Sequence, residues 1–467
     1  GASKEAAESI PTMLTGAAEV TSLNGADLDK PVRAVVLDPK KHPKPVVLLF
    51  SVSNADELAT AVGKERLVVR KDLGLVGAPE AVKVAHDYAF GTLARRDAPA
   101  APRGTLFMQP ILTSFRPEIE AAKTQIGALM AMAAPGGNSN DTMTKLLTLY
   151  IEGALAVAEQ VDRVEMHFAS QDALSGVELV VHARPDTTLA GFSKAQAPSD
   201  LALIEMLPAH EAPIMIMAGG LSMGPARQAF QDTGNAFLAA MWGSATSAEM
   251  GDWFGPFMDL FTGRFAAAVT SMGTGTSMGM APQMVQLIEA KDSAQAASVT
   301  RTMMETLAAK GTPLEMMGIK QTITFTPEAF AHDGVTVMMQ QTRTEVAAPP
   351  QDPADGEAAE AEQPAQPGAS FESKSYFAGV DGFFGMAMGE EQNMRQLIDA
   401  VRSKAPRLQV GGALGQARAA ATARKDSALM FMNLGALFGG AADMPQAVVF
   451  TFGFDDTRMR MFLAAGR

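Results

Sequence analysis

Three groups of residues in this chain have the types and spacing to do chemistry. The first is a serine between glycines. In "IMIMAGGLSMGPARQAF" the segment Gly220–Gly224 reads G-x-S-x-G, with a strand-like run before it and Pro225 opening a helix after it. That is the strand–turn–helix setting in which a hydrolase raises a nucleophile, here Ser222. An acid and a histidine should follow. Only His332 does, at a hairpin turn, with Asp252, Asp259 and Asp292 as acids, so the motif stands without clear partners. A second match lies in "SMGTGTSMGMAPQM", Ser271–Met284. It leads through Pro282 into a β-rich run, without the helix that an elbow or a phosphate cradle needs.

The second group is sulfur. Six of the 31 methionines lie before residue 200 and the other 25 after it. Several form M-x-M pairs in strand-like segments: Met215/Met217, Met386/Met388, Met430/Met432 and Met459/Met461. In a strand, residues i and i+2 share a face. Such a face reads as adaptable core packing, as a surface for apolar ligands or partner proteins, or as soft ligands for Cu(I). Met215, Met217, Met386, Met388, Met459 and Met461 are the candidate ligand-binding residues. The copper alternative centres on Met272, Met278, Met280 and Met284.

The third group is a polar strand face. If Ala169 opposes Gly176 in the hairpin "VDRVEMHFASQDALSGVELVVHARP", then Arg163, Glu165, His167, Glu178 and His182 share one side. Val164, Met166, Phe168, Val177, Leu179 and Val181 share the other. Alternation predicts one buried apolar side and one wet charged side. A solvated, charge-paired face explains the two His and two Glu better than a metal site.

These residues must be held by a larger architecture. The 467 residues carry 47% hydrophobic and 19% charged residues, enough for a sizeable core. The net charge of −13 argues against a nucleic-acid partner and against an anionic membrane surface. There is no cysteine, which excludes disulfides, a Cys nucleophile and Cys-bound zinc, and points to an oxidising compartment. The opening "GASKEAAES" lacks the apolar stretch of a signal peptide, so any signal peptide is expected to be already gone; Ala2 would stand where a lipidated Cys belongs, or the start is a cloning scar. The membrane then enters only through an N-terminal lipid anchor. No cofactor is expected.

Element order repeats along the chain. "VRAVVLDPKKHPKPVVLLFSVSNADELATAVG" reads strand (Val32–Leu37), strand (Val46–Val52), then a helix capped by Ser53 or Asn54. The run from Arg264 repeats this with strands Phe265–Ser271 and Met284–Ala290 and a cap at Asp292. Strand–turn–strand–helix follows in both, with Pro79 at the first helical position of the earlier one. "TLFMQPILTSF" matches "ALMFMNLGALF", and each half ends in a hairpin. The first copy alone has a long helix between Asn138 and Gln160. The second alone has the hairpin "ITFTPEAFAHDGVTVMM", turning at Asp333-Gly334, and an acidic Pro/Ala-rich loop, residues 345–370, expected to be disordered. The predicted fold is α+β: two similar halves, 1–200 and 201–467, each a mainly antiparallel sheet with helices packed on one face.

"LDPKKHPKPVVLLFSVSNADELATAVG", followed by "LFMQPILTSFRPEIEAA" and "VDRVEMHF", resembles an uncharacterised family of secreted or lipid-anchored proteins of Gram-negative bacteria, built from tandem α+β repeats. The resemblance implies a periplasmic or outer-membrane location and transfers no catalytic residue. The expected function is non-enzymatic: an envelope protein whose Met-rich face binds a hydrophobic small molecule or another envelope protein. The alternatives are a serine hydrolase using Ser222 and a periplasmic Cu(I) protein.

Overall fold

Five successive apolar residues, Val46–Phe50, leave strand β3 (Val46–Val52) no wet side, and Val47 to Phe50 are all buried. A strand apolar on both faces needs cover on both. It pairs with β1 (Ala26–Asp27), β2 (Arg33–Val36) and β5 (Leu73–Gly77), and β5 pairs with β4 (Leu67–Arg70); every pairing is antiparallel. Helix α1 (Ala55–Val62) covers one face, with Leu58 and Val62 on Leu48, Phe50 and Val76. Helix α2 (Pro79–Gly91) covers the other, with Ala81, Val82, Ala85 and Phe90 on Val47, Leu49 and Leu75. The expectation of helices on one face is therefore corrected. Asn54 caps α1, accepting a hydrogen bond from the Glu57 N–H at 3.2 Å, and Pro79 begins α2.

The structure is a computed structural model and describes residues 15–16, 18–95, 103–133, 139–171, 174–242, 255–272, 282–310, 315–316, 319–346, 370–438 and 446–466. It contains two compact units. The first is Gly1–Pro102 with Pro110–Pro117, and the second is Arg103–Gln109 with Glu118–Arg467. The expected acidic loop falls almost wholly outside the described residues.

The second unit is built on one fourteen-stranded sheet, which begins with β6 (Arg103–Phe107). Helices α3 (Met108–Ala133) and α4 (Ser139–Glu159) separate β6 from the hairpin β7 (Val161–Gln171) and β8 (Leu174–Ala183). Helix α5 (Thr188–Ala195) and a short 3-10 helix, Ala202–Met206, lead to β9 (Met215–Gly220), and α6 (Arg227–Trp242) follows it. Next come β10 (Phe261–Met272), β11 (Pro282–Ala290) and α7 (Ser293–Lys310), whose first turn is capped by Asp292. The two-residue β12 (Glu315–Met316) precedes the long hairpin β13 (Ile319–His332) and β14 (Val335–Val346). Its turn residues Asp333 and Gly334 both have positive φ, 51° and 74°, as the dipeptide predicts. Then follow β15 (Ser370–Val380), β16 (Phe383–Met388), α8 (Glu391–Val401), α9 (Gly412–Ala423), β17 (Asp426–Asn433), α10 (Leu434–Phe438), β18 (Ala447–Asp455) and β19 (Arg458–Gly466).

The spatial order is β12-β13-β14-β15-β16-β11-β10-β9-β17-β18-β19-β8-β7-β6. The division between units thus falls near residues 102–118, whereas residue 200 lies inside the second unit. The last three strands of the expected first half belong to the large sheet, because β8 pairs with β19. Connectivity nevertheless recurs. The order β10-β11-β16-β15 in the large sheet corresponds, in chain order, to β2-β3-β5-β4 in the small one. Likewise β17-β18-β19 runs as β6-β7-β8 does, and the two trios meet edge to edge through β19 and β8.

One face of the large sheet carries the main core. Ile216, Ala218, Ala266, Leu287, Ala387, Leu429 and Val449 lie beneath α8 (Met394, Leu397, Ile398) and α9 (Leu414, Ala417, Ala421). Small residues on the central strands let these helices sit close. Toward β6 the same face turns ionic. Asp426 is 0% exposed; its Oδ2 accepts hydrogen bonds from Arg424 Nε at 3.0 Å and Thr451 Oγ1 at 2.6 Å, and Arg460 Nη2 lies 3.6 Å from its Oδ1. Gly453, opposite both Asp426 and Arg460, makes room: a Cβ there would come within 2.3 Å of Asp426 Oδ1 and 2.8 Å of Arg460 Nη2. Removing the carboxylate leaves the two arginines facing each other without it. Asp426→Ala is expected to destabilise the protein by about 3–5 kcal/mol in urea unfolding, the cost of breaking a buried pair. A loss under about 1 kcal/mol would show that the network carries little of the stability.

Candidate functional site

Residues paired directly across antiparallel strands point to the same side of a sheet. Register therefore decides which methionines meet. Met388 pairs with Met284, Met284 with Val269, Val269 with Met215, and Met215 with Met432. One step along, Met386 pairs with Gln286, Gln286 with Ala267, Ala267 with Met217, and Met217 with Met430. Met430 continues through Phe450, Leu463 and Val177 to Phe168. Met461 pairs with Phe452 and Leu179, and Met459 with Phe454 and Val181. All six candidate methionines thus lie on one face, opposite the α8/α9 core.

That face is only partly covered. At β14–β16, α7 packs on Met338, Phe377 and Phe384, with Met386 at the margin. Phe192 of α5 meets Phe454 edge-on at 5.6 Å and Phe230 of α6 at 6.5 Å. Between these covers, Met215, Met217, Met430, Met432, Phe450 and Met461 are half-buried. Toward β6 the face opens: Leu463 is 49% exposed, Met166 46%, Phe168 57% and Leu106 51%.

The terminal hairpin has the predicted pairing, Ala169 against Gly176, and the predicted division of side chains. The assignment of dry and wet sides fails toward the β6 edge, although Val181 on the apolar side is buried as expected. The apolar side holds the exposed Met166 and Phe168, while Glu165 on the charged side is buried. The charged side continues the core face, where counter-charges make burial tolerable. Arg103 and Arg163 donate to Glu165, His182 Nε2 lies 3.3 Å from Glu165 Oε1, and His167 Nε2 lies 2.6 Å from Glu178. Arg424, donating to Glu178 and Asp426, links this cluster to the buried carboxylate and lies over the Phe462 ring. Among the described residues, no group of three or more His, Asp or Glu could hold a metal ion. The Arg424–Asp426–Arg460 part escaped the sequence reading. Its signals are an acid opening the apolar run "DSALMFM" and the alternating "RMRM".

Burial raises the Glu165 carboxyl, but hydrogen bonds from Arg163 and Arg103 outweigh it and hold the group below the ordinary carboxylate range. Burial lowers the His182 imidazole, and the charge of Arg163 lowers it further, against the pull of Glu165. A base whose pKa falls on folding takes a proton more readily when unfolded. The fold therefore loses stability as pH drops below about 6.5 through His182, and further below about 4.3 through Glu165.

Ser222 follows β9 and precedes a short 3-10 helix (Gly224–Ala226) and α6, so the strand–turn–helix setting is present. The rest of an elbow is not. Ser222 is absent from the positive-φ residues, so the turn lacks a nucleophile elbow's strain. Gln196 clamps its backbone, accepting from the Ser222 N–H at 2.8 Å and donating to its carbonyl at 2.7 Å. His332 is engaged elsewhere, 2.8 Å from Asp399 and 3.1 Å from Arg395. For the copper alternative, Met278 and Met280 lie outside the described residues, Met272 ends β10, and Met284 joins the methionine face.

No family model and no curated protein matches this chain. Among solved structures, one titled "Structure of crystal form IV of TP0453" aligns at 9% identity with a TM-score of 0.27, covering 58% of this chain and 83% of that one. A likeness at that level carries no argument about fold or function.

Urea unfolding should show lower stability at pH 5.5 than at pH 7.5, and His182→Gln should remove most of that difference; an unchanged difference would place the titrating group elsewhere. Neither the wild type nor Ser222→Ala should take up a fluorophosphonate label. Labelling that disappears in Ser222→Ala would restore the hydrolase reading.

Proposed function

We propose that this chain is a non-enzymatic protein of the bacterial cell envelope that binds an apolar small molecule on the methionine face. The observation that carries this reading is the register: six methionines from three separate stretches of sequence converge on one face. That face is half-buried at its centre and exposed at the β6 end. Contiguous exposed apolar surface often marks a binding site. Thioethers suit such a role because they repack around ligands of varied shape. The envelope location rests on the absence of cysteine and on the family resemblance. The recurring strand order supports an ancestral duplication, after which the later copy gained its sulfur-rich lining.

The apolar dye bis-ANS tests the site. It should bind the native chain with enhanced fluorescence. Phe168→Glu and Leu463→Glu, both at exposed positions, should weaken binding at least about tenfold without changing the circular-dichroism spectrum. Equal binding by the double variant would move the site off this face.

A further inference from the structure

The proposed apolar site says nothing yet about the shape of its ligand, and the side chains on the face constrain that shape. Across seven neighbouring strands, β9-β17-β18-β19-β8-β7-β6, the residues on this side include no charged group. The same strands on the opposite side carry Asp426, Arg460, Glu178, Glu165 and Arg103. Polarity is thus segregated to one side. Apart from Ser170 and Ser175 at the hairpin end, the residues that the register places on this side are apolar, whereas sites for polar ligands set several polar groups among apolar walls. A protein interface of this length would need hydrogen-bonding groups at intervals of about 100–200 Å². The ligand class that asks for neither is a flexible hydrocarbon chain.

Dimensions and texture agree. Seven strands at about 4.8 Å spacing extend the face by about 29 Å, room for one extended acyl chain, since the hydrocarbon core of a bilayer, about 30 Å, is filled by two chains end to end. Its centre is methionine and phenylalanine, side chains that adapt to a flexible ligand. At the turn end of β18–β19, Phe192 stands on Phe454 and forms an aromatic wall. At the other end the face opens through Leu463, Met166 and Phe168, where a headgroup can remain in water.

Building on the proposed apolar site, we infer that its ligand is the acyl chain of a single lipid molecule, laid across the strands of the methionine face. The test is calorimetric titration of the full chain with monomeric saturated fatty acids from octanoate to palmitate, beside bis-ANS. Affinity should rise up to about fourfold per added methylene, as progressive burial of the chain requires. Palmitate binding should weaken at least tenfold in Phe168→Glu/Leu463→Glu and stay unchanged in Val84→Glu, which alters an exposed valine of α2. If bis-ANS binds the face and palmitate does not, the apolar site stands and the acyl-chain inference falls. If neither binds, the site itself falls. Two results would assign the face to another occupant and overturn the inference: a dimer in light scattering that dissociates in the double variant, or flotation with phosphatidylcholine vesicles without binding of monomeric palmitate.

Discussion

Strand β9 hydrogen-bonds to β10 on one side and β17 on the other, and this six-residue strand joins two blocks of the large sheet. Its register brings Met215 beside Met432 and Met217 beside Met430, and sets Ile216 and Ala218 into the core. A slip of one residue would turn both methionines inward and both core residues outward. Close packing resists that slip. A Cβ on Gly219 would come within 2.7 Å of the Ala428 side chain and 2.9 Å of the Ser427 carbonyl. The methionine face, the core beneath α8 and α9, and the alignment of the more distant strands all inherit this register.

Toward β6 the two sides of the sheet depart from the roles that alternation alone would give them. Around β7 and β8 Glu165 is buried, Glu178 is half-buried and Phe168 is exposed. Burying charge is costly unless partners are placed with good geometry. Arg424 supplies that geometry by reaching both Glu178 and Asp426, while Arg103 and Arg163 reach Glu165. These ionic groups occupy the part of the core face near β6, next to the region filled by helix side chains. Opposite them, Met166 and Phe168 stand exposed. A polar core and a greasy surface are thus two consequences of one sheet orientation.

Strand order recurs within the large sheet. Two strand trios with the same chain order meet through β19 and β8, whose pairing places Gly176 against Ala464. A Cβ on Gly176 would lie 2.0 Å from the Leu463 carbonyl oxygen, so the junction depends on a residue with no side chain. The small sheet of the first unit keeps the remaining strands of its order and covers both faces with its own helices.

Much of this was legible in the sequence. The strand Val46–Val52, the caps at Asn54 and Asp292, the turn at Asp333-Gly334 and the opposition of Ala169 and Gly176 follow from local chemistry, because caps, turns and two-residue alternation act over a few neighbours. Alternation also determined which residues of the terminal hairpin share a side. It did not determine which side would be dry. That depended on α8 and α9, more than 200 residues along the chain, and on Arg424 arriving beside Glu178. The methionine pairs declared a common side within each strand, but their union into one face required the pairings of β9, β11, β16, β17 and β19. Such pairings join distant segments, and only the folded chain brings those segments into register.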